Sequence, residues 1–195
     1  IYTSVHTLSL HDALPITLAI AQRLAGYLGQ AGAMVLLTRE ADTDLSNPAT
    51  AGPANKKRED LTRRVEMANA NQADLFLSIH VNSSSSPARR GAQTFIQPGS
   101  AAGRVAAEFI QAELAKTLKN TSRQPLEVDH FITRNTSMPA VIVETGFLTN
   151  EAEAKLLQEP DYQAKAARAI YAGVVKYFAR LSSSPGEDPG KEEVI

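Results

Sequence analysis

EDLTRRVEMANANQADLFLSIHVN (59–82) changes its hydrophobic period partway along, and that change decides the fold class. Over 59–72, Leu61, Val65 and Ala68 recur at helical spacing. Over 73–82 an almost unbroken apolar run reaches His80 and stops at the serine-rich stretch 83–86, as a buried strand entering a loop would. A helix feeding a buried strand is the unit of an α/β layer structure.

The same alternation extends in both directions. TLAIAQRLAGYLGQAG (17–32) has Leu18, Ala21, Leu24, Ala25 and Leu28 at helical spacing, with Gly32 as a C-terminal stop. AMVLLTR (33–39) reads as a buried strand, and ADTDLSNPATAGPANKK (41–57) as a surface loop. GAQTFIQ (91–97), VDHFIT (128–133) and PAVIVETGF (139–147) read as further strands. AAGRVAAEFIQAELAKTLKN (101–120), EAEAKLLQ (151–158) and DYQAKAARAIYAGVVKYFARL (161–181) read as helices, and 182–195 as a polar, disordered tail. The expected architecture is a mixed, twisted sheet flanked by helices on both faces.

The totals narrow the function. A chain of 195 residues, 43% of them hydrophobic, fits one domain with one substantial core. Twenty basic against twenty-one acidic side chains leave a net charge of −1, without the basic footprint of a nucleic-acid binder. The absence of cysteine excludes disulfides, thiolate nucleophiles and cysteine-based zinc sites, so any metal relies on His, Asp and Glu. No apolar run approaches the roughly eighteen residues of a membrane span. Nor does the N-terminus show the basic region and apolar run of an export signal.

Two strand ends carry unusual residues. His80 closes the apolar run of LFLSIHVN, where a half-buried histidine bonded to a backbone carbonyl is the ordinary reading. Glu144 closes AVIVE, where a carboxylate needs a partner such as Arg134 or Arg39, a metal, or a perturbed pKa. A neutral imidazole and a carboxylate at adjacent strand ends also make part of a hydrolytic metal site, in which the carboxylate moves the proton. One histidine is still not a zinc site, because catalytic zinc takes three protein ligands.

These motifs resemble the zinc-dependent N-acetylmuramoyl-L-alanine amidases of the Amidase_3 type, which cleave peptidoglycan between the lactyl group of the sugar and the stem peptide. The resemblance rests on TLAIAQRL, LTREADTDL, EDLTRRVEMANANQADLFLSIHVN and MPAVIVETGFLTNEAEAKLL, and it runs from Thr17 to about Leu181. GAQTFIQ, IQAELAKTLKNTSR and DYQAKAARAIYAGVVKYF resemble the germination-specific, spore-cortex branch of that family. The resemblance implies Zn²⁺ as cofactor, His80 as a metal ligand and Glu144 as the catalytic carboxylate. It implies peptidoglycan or a muropeptide as substrate, an extracytoplasmic setting and a monomer, and leaves any activating partner open.

Two further ligands of the family, a His in a glycine turn and a Glu, have no counterpart motif in this chain, and the first strand is expected to be missing with them. Residues 1–16, with His6, His11 and Asp12, stand in the wrong context to replace them. HTLSLHDALPI (6–16) resembles a translated sequencing adapter, so 1–16 is expected to be a non-native leader on an amidase domain spanning 17–181. The competing expectation is a catalytically silent scaffold that at most binds cell-wall glycopeptide. Arg39, Arg64 and Asn69 are expected to serve the scaffold, and Asn82 is left open. Asp42 and Asp44 read as a solvated loop, Ser83–Ser86 as a flexible edge, and His130 as a packing residue on a strand.

Overall fold

The computed structural model describes residues 10–183. In chain order the elements are α1 (Leu10–Gln30), α2 (Pro53–Ala70), β1 (Phe76–Asn82), β2 (Gln93–Ile96), α3 (Ala101–Leu118), β3 (Leu126–Glu127), α4 (Phe131–Asn135), β4 (Ala140–Phe147), α5 (Glu151–Gln158) and α6 (Pro160–Ser183). The strands form one sheet in the order β1-β4-β2-β3. β1 runs parallel to β4, β4 antiparallel to β2, and β2 parallel to β3, so the sheet is mixed as expected.

Alternation along the strands sends side chains to two cores. On one face Val141, Val143 and Ile96 join Ile20 and Leu24 of α1, Ile110 and Leu114 of α3, Leu157 of α5, and Ile170 and Val174 of α6. On the other face Phe76, Ala140 and Ile142 meet Val65 and Ala68 of α2 and Ile132 of α4. α3 and α6 approach closely at Gly173, where a Cβ would stand 2.5 Å from the Cα of Ile110.

Three expectations need correction. The run 33–39 is not a strand: Met34, Val35 and Leu36 are 101%, 38% and 51% exposed. An apolar run becomes a strand only against a neighbour that takes up its backbone groups. Among the described residues none lies there, and β1 itself ends the sheet. The run 128–133 is a strand only in expectation as well. Val128 N–H makes a last bond to Ile96 O, and the chain then turns into α4 with His130 at its N-cap. Phe131 and Ile132 both pack on the α2-side core, which adjacent residues of a strand could not do. Finally, the first helix begins at Leu10 rather than Thr17 and passes through Pro15, burying Ile16, and α2 starts at Pro53 inside the expected loop. Residues 1–9, with His6, and 184–195 lie outside the described residues, as do the side chains of His11 and Asp12.

Candidate active site

His80 and Glu144 are register partners across the parallel pair β1–β4, and Gln93 is the partner of Glu144 across the antiparallel pair β4–β2. Opposed residues on paired strands share a face. His80, Glu144 and Gln93 therefore form a row on the α2 and α4 side of the sheet, one strand spacing of about 4.8 Å apart. The row lies in the carboxyl-terminal halves of β1 and β4, two and three residues short of the strand ends, and open α/β sheets collect ligand-binding groups toward that side.

The His80 ring is open to solvent at its outer face and closely set in protein on its other sides. The open face decides access, and the closed sides decide charge. Burial first, then the positive charges of Arg64, Lys57, His130 and Arg39, push its pKa down to about 4. The imidazole is thus neutral near pH 7. Its Nε2 lies 2.8 Å from Ser78 Oγ, so the ordinary backbone-carbonyl partner is replaced by a hydroxyl on the same strand face.

Glu144 is half-buried, and its Oε2 is shut off from solvent with no hydrogen-bond partner among the described residues. Burial pushes its pKa up to about 8. The salt bridges that would make Glu144 ordinary are not formed. Arg39 pairs with Asp42 at 3.5 Å and Arg134 with Asp129 at 2.5 Å.

The strand end carrying Glu144 is held by a second carboxylate. Buried Glu153 accepts hydrogen bonds from Phe147 N–H at 2.9 Å, from Gly91 N–H at 2.9 and 3.0 Å, and from Asn120 Nδ2 at 3.0 Å. Tyr162 Oη donates to Thr145 O at 3.0 Å, and Thr145 Oγ1 donates to His80 O at 3.1 Å. The backbone just after Glu144 is fixed from both α5 and α6.

The other candidates serve the scaffold. Arg64 grips Asp60 with two bonds of 2.9 and 2.8 Å and reaches Thr38 Oγ1 at 2.7 Å. Asn69 ties α2 to the turn before β4 through Asn135 O, Ser137 N and Ser137 Oγ. Asn82 accepts from Ser83 N–H, Asp44 caps Ser46, and His130 lies edge-on to Phe95. Gln93 and Ser78 were not singled out from the sequence. The signal for Gln93 was a buried amide opening an otherwise apolar strand.

The family model described as N-acetylmuramoyl-L-alanine amidase matches residues 13–176. The chain belongs to this amidase family. Its relatives include the germination-specific N-acetylmuramoyl-L-alanine amidase of Bacillus subtilis (strain 168), 40% identical over 171 residues, which are 87% of this chain and 72% of that protein. LytC, an N-acetylmuramoyl-L-alanine amidase of the same organism, is 35% identical over 165 residues, and this chain spans only 30% of it. Among solved structures, the CwlD amidase of Clostridioides difficile, determined in complex with the GerS lipoprotein, superposes with a TM-score of 0.83 at 34% identity, covering 86% of this chain and 87% of that one. The mixed α/β fold is the amidase fold.

The residues of this amidase do not complete a zinc set. No group of three His, Asp or Glu side chains placed to hold a metal ion occurs among the described residues. His80 offers one imidazole lone pair, and the orphaned Oε2 of Glu144 one carboxylate oxygen. Three protein donors are the norm for catalytic zinc, and two fall short of it.

Proposed function

We propose that this amidase hydrolyses the amide bond between N-acetylmuramic acid and L-alanine in peptidoglycan, with Glu144 carrying the proton. The observation that supports this most is the unpartnered, burial-raised carboxyl of Glu144 beside the neutral imidazole of His80. A carboxyl whose pKa lies near the working pH is suited to both halves of a proton relay. Glu144 takes a proton from a water molecule as its oxygen adds to the amide carbon. It then returns that proton to the nitrogen as the carbon–nitrogen bond breaks. The groove for the substrate is bordered by the loop after His80 and the loop after Glu144. His80 is the proposed ligand for the zinc that the family resemblance implies, but these residues alone do not hold the metal. Action outside the cytoplasm and a part in spore-cortex or germination chemistry are proposed from the names of the relatives, and a protein partner from the pairing of CwlD with the GerS lipoprotein.

The incomplete donor set favours a second reading, a catalytically silent domain that binds cell-wall glycopeptide. Incubating the chain with purified peptidoglycan, with and without added Zn²⁺, and looking for freed stem peptide by mass spectrometry separates the two. Release that disappears in Glu144→Gln supports the amidase reading. Release that persists in that variant removes Glu144 from the reaction. No release, together with no retention of zinc in equilibrium dialysis, favours the silent domain.

A further inference from the structure

The row across the sheet has a continuation. Beyond Gln93, on the side of Glu144 away from His80, stands Arg123, in the connection between α3 and β3. Its Nη1 donates to Gln93 Oε1 at 3.2 Å, and its guanidinium lies 5.2 Å over the ring of Phe147, which ends β4 three residues after Glu144. Gln93 is in turn pinned by donating through Nε2 to Gln124 O at 3.1 Å. The amide group is thereby oriented with its oxygen toward the arginine.

Arg123 lacks a counter-ion among the described residues, unlike the arginines that the fold ties into ion pairs. Arg39, Arg64, Arg104 and Arg134 each face a carboxylate. No carboxylate of the described residues lies within ion-pair distance of Arg123, although its side chain is half-buried. A guanidinium has five N–H donors in a planar fork, and the bond to Gln93 uses one of them. Stacked on Phe147 and fixed by Gln93, it is pre-set for a planar anion such as a carboxylate.

We propose that Arg123 anchors a carboxylate on the peptide side of the substrate, with Gln93 and Phe147 holding it in place. This rests on the amidase reading. In a muramoyl peptide the lactyl carboxyl is consumed in the amide, so a free carboxylate near the scissile bond must belong to the stem peptide. The distance suits it. Gln93 stands one strand spacing of about 4.8 Å from Glu144, with Arg123 just beyond. One or two residues of extended peptide, roughly 3.3–3.6 Å each, span that gap.

The test is binding rather than turnover. N-acetylmuramoyl-L-alanyl-D-glutamate and its α,γ-dicarboxamide, which has no free carboxylate, are titrated into the chain and followed by NMR. The carboxylate ligand should bind roughly tenfold more tightly or better, as a charge-assisted pair implies. Arg123→Gln should erase that preference while leaving carboxamide affinity unchanged, and Arg123→Lys should restore part of it. A matching thermal melt for each variant guards against misfolding. Equal binding of the two ligands, or a preference that survives Arg123→Gln, overturns the anchor. Shifts at His80 under equal binding would leave the amidase reading standing without the anchor. Arg123-dependent binding of L-alanyl-D-glutamate that gains nothing from the muramoyl sugar would keep the anchor and count against the amidase reading.

Discussion

At the scale of single residues, the site pairs a carboxyl held in the charge state that water would not choose with an imidazole whose protonation is made harder still. Glu144 sits at about 8 against an ordinary 4.5, because burial disfavours the carboxylate. Below pH 4.5 the folded and unfolded chains are both protonated there and no cost arises. As pH rises from 4.5 through 8 the unfolded chain ionises freely and the folded chain resists, so stability is lost across that window. Glu144→Gln removes the ionisation. The variant should match the parent near pH 4 and exceed it at pH 8.5 by roughly 2–4 kcal/mol, discounting for the open side of the site. Urea unfolding at the two pH values measures the gap, and a gap that does not widen with pH would contradict the burial of this carboxyl. His80 works in the opposite sense: with its pKa lowered to about 4, stability is lost as pH falls from 6.5 through that value. The residues of this row were legible unequally from the sequence. His80 and Glu144 stand out because a polar residue interrupts each apolar run. Arg123 does not, because its meaning comes from a counter-ion that is missing in space, which no spacing reveals.

At the scale of elements, the row depends on the ends of β2 and β4 staying in place, and α5 supplies the tie. Asn150 caps α5 by accepting from Glu153 N–H at 3.1 Å, and this turns the Glu153 carboxylate toward Gly91 and Phe147. Gly91, at φ 95° and with Asn120 O only 2.5 Å from where a Cβ would stand, permits the close approach. Glu153→Gln places an amide donor against backbone donors and leaves at least one of them unpaired in the interior. It should cost about 2–4 kcal/mol of stability, seen as a lower urea midpoint at unchanged slope. A change under about 0.5 kcal/mol, the level of an ordinary surface substitution, would mean the carboxylate is not the tie. The long helices and the two central strands were legible because their periodicity is sustained over many residues. VDHFIT was not, since six residues of mixed polarity fit either state. Its outcome is decided by Phe131 and Ile132 both meeting Val65 and Ala68 on α2.

At the scale of the whole molecule, 33–39 stays out of the sheet as an exposed apolar run and, among the described residues, β1 ends the sheet with a free edge. A strand at the edge of a sheet presents unpaired N–H and C=O groups, a template for another chain. Here exposed Met34, Val35 and Leu36 add apolar surface, with no lysine, proline or inward charge among them to discourage pairing. The apolar run was legible as strand material, but its fate was not. Periodicity reports what a segment would bury, and only the neighbouring strand decides whether it is buried. The chain should therefore associate with itself as concentration rises, and light scattering over a concentration series would show the apparent mass climbing. Leu36→Lys combined with Met34→Lys places two charges on this edge. Both side chains are solvated in the monomer, so the double variant should hold its melting temperature within about 1–2 °C while losing most of the association. A parent chain that stays monodisperse and melts cooperatively at high concentration would show that the edge is already covered.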